Sequence, residues 1–433
     1  MTCGSERRHK NRMNRRFREI IERLEETSEN AFITGRAGTG KSTLLKFFRE
    51  KTAKNIAVLA PTGVAALNVQ GQTIHSFFKL RPGADETQIK RVYGQAAAVY
   101  KKLDAVIIDE ISMVRADILD LADKFLRING PKTGEPFGGV QMVFFGDLFQ
   151  LPPVLTDAER DVFTARYESP HFFDSEAWKN SIFRTEELND VFRQTDPEFI
   201  SVLDAIRSND VSDEHLRVIN ERTGAEIGDG FKITLVTTNG RADSANMIEL
   251  DKIRGDEKTY TGRLSGDFAE KNLPTAEGLK LKIGSQVMML NNDQKKRWVN
   301  GDIARVTALG ENSAEVELPN GEQHDVSPFT WEATKFVFDE TAEKIKTEIT
   351  GTFTQLPIRL AWAVTIHKGQ GKTFDRAVID LGTGTFAPGQ AYVALSRVRS
   401  LEGLSLRRPI RRNDVFVDRR ITEFMEAIKN PRA

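Results

Sequence analysis

Short apolar runs alternate with helix-like stretches along the first half of the chain. Runs at residues 31–34, 56–60, 105–108 and 142–145 read as buried strands, and residues 42–49 fit a helix. Continuous apolar strands separated by helices are typical of a parallel sheet that is covered on both faces. The pattern predicts a doubly wound α/β lobe, whose functional loops follow the carboxyl ends of the strands.

The alternation of apolar runs and helix-like stretches returns in the second half of the chain, on either side of a segment that alternates at strand period. Residues 233–237 and 377–381 predict two further buried strands, and residues 241–254 predict a helix. Between about 259 and 353 the pattern alternates at strand period, with Asn-Gly turns at 300–301 and 320–321. Several short strands joined by such turns are typical of a small β-barrel. We therefore predict a second α/β lobe that is split by an inserted β-barrel domain.

These changes of pattern set the expected domain boundaries. We expect a basic arm and helix at 1–29, the first lobe at 30–187, the second lobe at 188–256 and 354–433, and the barrel at 257–353. Within the first lobe, residues 78–103 carry several Lys and Arg residues and no strand pattern. This segment is predicted to form a small basic insertion.

Composition narrows the class of protein. The 433 residues are 39% hydrophobic, which suffices for packed cores, and Lys plus Arg equal Asp plus Glu at 62 each. With no net charge, any nucleic-acid surface has to come from local segregation of basic side chains. The single cysteine, Cys3, excludes a disulfide framework and a cysteine-type zinc site. No apolar run approaches the roughly 18 residues of a spanning helix, so we expect no membrane partner.

Residues 35–42 carry the motif G-x-x-x-x-G-K-[ST] in full, between a predicted strand and a predicted helix. Such a loop brings backbone N–H groups close to phosphate oxygens at a helix N-terminus. Lys41 would contact the β- and γ-phosphates, and Ser42 would ligate Mg²⁺. We predict a site for ATP and Mg²⁺ in which the nucleotide is held by Gly35, Ala37, Gly38, Thr39, Gly40, Lys41, Ser42 and Thr43.

Two further strand ends add acidic and amide groups. The run at 105–108 delivers Asp109 to the sheet edge, where it can hold the Mg²⁺ shell, and Glu110 beside it can orient and deprotonate the attacking water. After the run at 142–145, Gln150 could sense the γ-phosphate, since an amide both donates and accepts hydrogen bonds. By pattern alone, Gln150 fits a loop-capping role equally well.

Transition-state charge also requires a cation from outside this loop. Arg193, in Phe-Arg-Gln at 192–194, and Arg397, in Val-Ala-Leu-Ser-Arg at 393–397, are two candidates in the second lobe. Because most arginines are solvated surface residues, pattern alone assigns neither of them.

Eight ordered blocks resemble the Pif (petite integration frequency) family of DNA helicases, in the B branch of superfamily one and related to RecD-type enzymes. The matching blocks are 35–42, 60–66, 73–78, 109–113, 137–154, 192–194, 365–373 and 392–399. The resemblance covers roughly residues 30–405. It implies an α/β fold of two RecA-like P-loop lobes with a small inserted SH3-like β-barrel.

For the nucleotide site, the resemblance implies five catalytic residues, namely Lys41, Glu110, Gln150, Arg193 and Arg397. The two arginines would reach the site from the second lobe, and Gln370 and Gly371 would lie on the γ-phosphate side. Family members often carry a glutamine-containing adenine motif shortly before the P-loop. Residues 17–30 contain no glutamine, so the resemblance assigns no residue to the adenine.

The resemblance also implies a track for single-stranded DNA along both lobes and the barrel. Its expected contacts are Pro61, Thr62, Gly63, His75, Phe77, Lys295, Lys296, Arg297, Trp298, Thr365, His367 and Lys368. Three cations beside an indole suit a loop that grips the backbone and stacks on bases. The alternatives are a core position for Phe77 or Phe78, a solvated turn at 295–297, and structural roles for the two histidines.

Together these features predict an ATP-driven motor on single-stranded DNA, with 5′-to-3′ movement implied by the resemblance alone. The expected partners are single-stranded DNA, junctions with duplex DNA and G-quadruplexes, bound by a monomer. The basic insertion at 78–103 is the expected wedge. Two alternatives are a translocase without efficient unwinding and an ATP-switched nucleic-acid-binding module. The expected location is the nucleoid of a bacterium, with a nucleus or mitochondrion as alternatives.

Overall fold

The computed structural model describes residues 15–81 and 83–429, so Cys3 and most of the predicted basic arm lie outside the described residues. The α-helices of the described residues, α1 to α13, are Arg15–Glu26, Lys41–Lys51, Gly63–Asn68, Ile74–Phe77, Gln95–Lys101, Ala116–Asn129, Asp157–Thr164, Glu176–Lys179, Pro197–Ser208, Asp213–Asn220, Asn239–Lys252, Gln390–Leu395 and Arg419–Lys429. Short 3₁₀-helices are Glu86–Gln88, Ile111–Met113, Pro136–Gly139, Phe172–Asp174, Glu270–Asn272 and Arg412–Asp414.

The strands of the described residues, β1 to β20, are Asn30–Gly35, Ile56–Ala60, Gln72–Thr73, Ala105–Ile108, Gln141–Gly146, Phe183–Leu188, Ile233–Val236, Lys258–Thr261, Arg263–Gly266, Gly278–Leu281, Gln286–Met289, Ile303–Leu309, Ala314–Glu317, Gln323–Val326, Phe329–Asp339, Lys344–Gln355, Ile358–Leu360, Ala363–Thr365, Ala377–Asp380 and Leu404–Leu406. Across residues 15–81 and 83–429, none of the helices combines the length and apolar character that crossing a bilayer requires.

A six-stranded parallel sheet forms the first lobe, in the order β3–β2–β4–β5–β1–β6. β1 lies between β5 and β6 with Thr34 opposite Gly146, and β4 pairs with β5 with Ile108 opposite Phe144. Because the strands run in one direction, their carboxyl ends meet at one edge of the sheet. The four predicted strands of this lobe are confirmed. The sequence prediction missed the two-residue β3 and the charged edge strand β6.

Apolar side chains cover both faces of this sheet. Phe144 belongs to a cluster with Phe125 of α6, whereas the next residue, Phe145, belongs to a cluster with Phe48 of α2. Successive side chains of a strand point to opposite faces, so adjacent phenylalanines enter different cores. Burial on both faces explains why the strands read as continuous apolar runs in the sequence.

The second lobe is built on a four-stranded parallel sheet, in the order β18–β7–β19–β20. Leu235 of β7 and Ile379 of β19 are buried with Phe199 of α9 and Leu395 of α12 in one cluster. Two parallel sheets with helices packed on them confirm the predicted pair of doubly wound α/β lobes.

Antiparallel strands separate α11 from β18. They form a five-stranded sheet β14–β13–β12–β11–β17, a three-stranded sheet β15–β16–β9 and a pair of β8 with β10. Val287, Ala304 and Val316 are fully buried in the core of the largest of these sheets. Pairing of Val287 with Leu360 carries the antiparallel region beyond the expected boundary at 353. The SH3-like character of this region stays a prediction.

The long ribbon of β15 and β16 packs on the first lobe and helps to bury Phe77. Phe336 of β15 meets Phe77 edge to face, with 5.6 Å between ring centroids. Phe77 is only 2% exposed and also packs on Phe78 and Tyr100. A ring enclosed in this way has no face open to a nucleobase. The assignment of Phe77 to the DNA track is therefore wrong, and Phe77 and Phe78 are core residues.

Helix α13 packs on the first lobe, although the expected boundaries placed residues 354–433 in the second. Phe424 stacks on Phe173 at 4.2 Å between ring centroids, and Arg420 pairs with Asp174 at 2.6 Å. The amphipathic pattern of this helix was readable, but such a pattern does not say which lobe covers the apolar face. The last helix thus corrects the predicted extent of the second lobe.

We expect Phe77→Ala to destabilise the fold rather than to weaken DNA binding. Truncating a buried phenylalanine leaves a cavity, and the free energy of unfolding should fall by about 3–5 kcal/mol. Tyr93, 78% exposed in the same basic insertion, offers a matched control, and Tyr93→Ala should stay within about 0.5 kcal/mol of the wild type. Urea unfolding measures both. Normal stability of Phe77→Ala combined with lost single-strand affinity would return Phe77 to the DNA track.

Candidate active site between the two lobes

The P-loop joins β1 to α2 at the carboxyl edge of the first sheet. Gly38 and Gly40 adopt left-handed backbone angles, with φ of +84° and +88°. The ammonium of Lys41 donates to the carbonyl oxygens of Gly35 and Arg36 at 2.7 and 2.9 Å. The loop therefore holds Lys41 folded over its own backbone, at the place where phosphate oxygens bind in such loops.

The other predicted residues of the loop divide into exposed and buried positions. Ser42 and Thr43 are exposed in the first turn of α2, whereas Ala37 and Thr39 are buried. The Thr39 hydroxyl donates to the Arg36 carbonyl at 2.9 Å and so braces the loop from inside. The predicted phosphate-binding residues of the loop thus lie together around one helix N-terminus.

Asp109 and Glu110 follow β4 at the same sheet edge. Glu110 has left-handed backbone angles, with φ of +53°, and its backbone N–H donates to Asp109 Oδ1 at 3.0 Å. Such angles cost about 1–3 kcal/mol in a non-glycine residue and are concentrated at functional sites. The tight turn sends both carboxylates toward the cleft rather than along the strand.

Burial changes the protonation of this acidic pair. It raises the pKa of Asp109 to about 6, against a hydrogen bond from the Glu110 backbone and the charge of Lys41. Burial and the neighbouring Asp109 raise the pKa of Glu110 to about 7, against Lys41 and Arg397. A carboxylate with a pKa close to neutrality is well suited to accept a proton from water.

The donor set of this site fits Mg²⁺. The ion prefers hard oxygen ligands, and the carboxylate of Asp109 and the exposed hydroxyl of Ser42 are of that kind. The raised pKa values of Asp109 and Glu110 show that their negative charge is poorly compensated, so a divalent cation here would relieve it. Asp109 and Ser42 are the residues that would hold it.

Gln150 and Gln370 meet across the cleft. The amide of Gln370, from the second lobe, donates to Glu110 Oε2 at 3.0 Å and to Gln150 Oε1 at 3.2 Å. Gln150 is 5% exposed, and its amide donates to Asp147 Oδ2 at 3.2 Å. Gln150 therefore lies inside the cleft beside Glu110. The next residue of the second lobe, Gly371, is exposed with φ of +76°.

The two predicted arginines lie on the second-lobe side of the same cleft. Arg397 is 1% exposed, donates to the Val393 carbonyl at 2.9 Å, and lies close enough to Glu110 to oppose the rise in its pKa. Arg193 packs against Gly38 of the P-loop and donates to the Ser396 carbonyl at 3.0 Å. Burial, together with the nearby Arg397, lowers the pKa of Arg193 to about 9. The structure thus brings both arginines to the cleft.

Further contacts fasten the lobes together around the P-loop. The Ala37 N–H donates to the Tyr392 hydroxyl at 2.9 Å, and Arg36 pairs with Asp204 at 2.6 Å. Gly389, with φ of +71°, lies so close to the first lobe that a Cβ there would be 2.3 Å from the Phe149 carbonyl oxygen. A side chain at this position would separate α12 from the turn that carries Gln150.

Sequence reasoning missed one of the buried polar residues in the cleft, Arg207, and gave no role to two others, Asp147 and Tyr392. Asp147 is fully buried and pairs with Arg207 at 3.0 Å. An acidic residue directly after a buried strand was a usable signal for Asp147. Arg207 ends an ordinary amphipathic helix and Tyr392 lies in a hydrophobic run, so neither carried a signal of its own.

In the first lobe, the expected DNA contacts cluster after β2 and β3. Thr62 is exposed, and its hydroxyl caps α3 by accepting the Ala65 N–H at 3.2 Å. Pro61 and Gly63 are partly exposed, and a Cβ on Gly63 would clash with the side chain of Asn272. His75 is partly buried in α4. These positions form one surface that the inserted region partly covers.

In the second lobe, Thr365 is largely enclosed. It is 3% exposed, and its hydroxyl oxygen accepts the Lys368 N–H at 3.2 Å, so Thr365 shapes the turn that carries Lys368. Lys368 is exposed and His367 is partly exposed. Burial lowers the pKa of His367 and, together with the neighbouring Arg359, that of Lys368.

The loop at 295–298 divides into exposed and enclosed residues. Lys295 and Lys296 are exposed. Arg297 is held by Asp293 through two hydrogen bonds of 2.7 and 3.0 Å and lies 4.4 Å above the Trp298 ring. Trp298 is 4% exposed in the core of the five-stranded sheet. A base-stacking role for Trp298 is therefore wrong, because its ring is already covered.

Sequence reasoning also missed two cations beside Lys368. Arg359 of β17 acts on both Lys368 and Lys372, and burial with Arg359 lowers the pKa of Lys372 to about 8. Lys372 donates to Asn300 Oδ1 at 2.5 Å. The three cations come from the inserted region and the second lobe. Because Arg359 lies on β17 and the two lysines follow β18, only the tertiary structure groups them.

Comparisons with known proteins agree with this architecture. A family model described as PIF1-like helicase matches residues 10–218. The chain is 35% identical over 394 residues to the ATP-dependent DNA helicase Pif1 of Bdellovibrio bacteriovorus, covering 88% of this chain and 84% of that protein. The chain belongs to the PIF1-like helicase family.

Two more relatives extend the comparison. The human ATP-dependent DNA helicase PIF1 is 36% identical over 392 residues, which cover 87% of this chain and 58% of the human protein. The crystal structure of Bacteroides sp. Pif1 in complex with ADP-AlF4 aligns with a TM-score of 0.88 and 38% identity over 96% of this chain and 97% of that one. Like these relatives, the PIF1-like chain is an ATP-dependent DNA helicase.

In this PIF1-like helicase, we expect ATP hydrolysis to depend on an unprotonated Glu110. Because the pKa of Glu110 is raised to about 7, kcat/KM for ATP should rise with pH through about 7 and level off above it. Glu110→Gln should bind ATP but not hydrolyse it. Its ATP affinity over the same pH range is the control for titration of the nucleotide. Substantial turnover by Glu110→Gln would assign the base to another residue.

We expect Arg397→Ala in this helicase to slow hydrolysis by a factor of about 1,000 or more while ATP binding persists. The reason is that a buried guanidinium beside Glu110 stabilises charge that develops only in the transition state. Arg399→Ala is the matched control, since Arg399 is exposed and pairs with Asp375. Single-turnover hydrolysis measures both variants. A rate for Arg397→Ala close to that of Arg399→Ala would contradict the role.

Proposed function

We propose that this helicase moves 5′ to 3′ on single-stranded DNA as a monomer and unwinds duplexes, forks and G-quadruplexes. The observation that carries the proposal is the contact of Gln370 with Glu110 and Gln150, beside the buried Arg397. The hydrolytic residues come from one lobe and their charged partners from the other. Hydrolysis is therefore coupled to the fit between the lobes, which a motor requires.

We propose distinct roles for the residues of the cleft. Lys41 holds the β- and γ-phosphates, Ser42 and Asp109 hold Mg²⁺, and Glu110 accepts the proton of the attacking water. Gln150 and Gln370 sense the γ-phosphate, and Arg193 and Arg397 stabilise the transferred charge. Binding of ATP favours the closed cleft in which these contacts form, and loss of the γ-phosphate releases it.

The DNA track that we propose uses exposed cations and hydroxyl groups on both lobes. Thr62 and His75 in the first lobe and His367 and Lys368 in the second would each hold the same strand. Lys295 and Lys296 add two exposed cations from the inserted region. Since each lobe carries its own DNA contacts, opening or closing of the cleft moves the contacts of one lobe relative to those of the other.

Strand separation is assigned to the basic insertion at 78–103. Its core side is buried through Phe78 and Tyr100, while Tyr93 at its outer side is 78% exposed. An exposed aromatic ring among basic residues can stack on the end of a duplex. The insertion therefore has the anchored base and the exposed tip that a wedge needs.

A tailed-duplex assay with ATP and Mg²⁺ tests this function. The proposal expects strand release from a duplex with a 5′ tail and none from a duplex with a 3′ tail. Lys41→Ala is the control, because it removes the ammonium of the P-loop and should abolish release. A G-quadruplex placed between the 5′ tail and the duplex tests the wider substrate range.

Two outcomes of the same assay would favour the alternatives. Hydrolysis stimulated by single strands, without release from either substrate, would indicate a translocase that does not unwind. Strand binding without stimulated hydrolysis would indicate a binding module with an ATP switch. Release from the 3′-tailed duplex alone would reverse the proposed direction.

A further inference from the structure

Asp147 is a buried carboxylate that the proposed hydrolytic mechanism does not use. It follows Gly146, which pairs with Thr34 across β5 and β1, so its backbone lies next to Gly35 at the start of the P-loop. Gly35 is also the residue whose carbonyl oxygen accepts from the Lys41 ammonium at 2.7 Å. Asp147 is fully buried. A buried carboxylate in this position attracts the ammonium that has to hold the phosphates.

Arg207 reaches the same carboxylate from the second lobe. Its Nη2 donates to Asp147 Oδ1 at 3.0 Å, and its guanidinium lies 4.2 Å above the Phe149 ring. Arg207 is 9% exposed, and its Nε has no hydrogen-bond partner among the described residues. A planar guanidinium can stack on a ring and pair with a carboxylate at once, which an ammonium cannot do. The ion pair therefore crosses the lobe interface inside the protein.

Arg207 pairs with Asp147 at 3.0 Å, and the charge of Lys41 also acts on this carboxylate. Burial lowers the pKa of Lys41, and among the charged groups around it Asp147 opposes this most strongly. Burial works to raise the pKa of Asp147, but Arg207 and Lys41 together lower it. Removing one cation leaves a buried charge that has to find compensation from the other.

We propose that Arg207 is a positioning residue that neutralises Asp147 from the second lobe and so leaves the Lys41 ammonium available to the phosphates of the nucleotide. Without Arg207, Asp147 holds Lys41 and nucleotide binding weakens. Because Arg207 belongs to the second lobe, opening of the cleft has the same effect and favours nucleotide release. This inference rests on the proposed ATP-driven function and names a coupling within it.

A double variant that also neutralises the competing carboxylate tests the inference. With Mg²⁺ present, calorimetry should show that Arg207→Met raises the dissociation constant for ADP by about tenfold or more. The double variant Asp147→Asn/Arg207→Met should return to within about threefold of the wild type, because the competing charge is gone. If Arg207 only packed the interface, the second substitution would add damage. A double variant as weak as Arg207→Met, or an Arg207→Met with normal affinity, would overturn the proposal.

Two further variants keep the test decisive. Arg408→Met is the matched control, since Arg408 pairs twice with the buried Asp414 at 2.6 and 2.7 Å in the same lobe, and it should leave ADP affinity unchanged. Should Arg207→Met fail to fold, Asp147→Asn alone has to bind ADP within about threefold of the wild type, and a larger loss overturns the inference. Absence of ADP binding in the wild type would instead overturn the proposed function itself.

Discussion

Desolvated carboxylates at one edge of the first sheet have to be matched by positive charge, and part of that charge comes from the second lobe. Glu110 and Asp147 are held at this edge by the turns that follow β4 and β5. Lys41 supplies a cation from the P-loop, whereas Arg207 and Arg397 supply theirs from across the cleft. Leaving such a carboxylate unpaired is costly, so the constellation is complete only where the lobes meet. Any movement between the lobes therefore changes the electrostatics of the nucleotide site.

The backbone conformation around the cleft allows the two lobes to approach each other closely. Glu110 holds a left-handed conformation, and Gly389 lets α12 approach the turn of Gln150 within contact distance. Strain of this kind persists only where surrounding contacts determine the conformation. The chain also returns to the first lobe through α13, whose Phe424 stacks on Phe173. The second lobe is thus tied to the first at both of its ends.

The nucleic-acid surface that we propose depends on where the charges lie rather than on the overall charge. The chain as a whole is neutral, yet burial and the nearby Arg359 together lower the pKa values of Lys368 and Lys372. Cations that repel one another are ready to bind phosphates, which relieve the repulsion. Lys295 and Lys296 stay exposed, whereas the aromatic Trp298 beside them is taken up by the core. The proposed DNA track therefore has more cations and fewer stacking rings than its sequence motifs indicate.

Sequence alone determined four strands of the first sheet and two of the second, the P-loop and the strand-end acids, because each depends on neighbouring residues. Continuous apolar runs and one glycine-rich turn are local signals that no distant contact can hide. Only the tertiary structure decided that Phe77 and Trp298 are buried, that α13 covers the first lobe, and that Arg207 faces Asp147. An aromatic ring or an arginine has the same local pattern in a core, on a surface or in an interface. Its role is settled by the element that packs against it, and that element lies far away in the sequence.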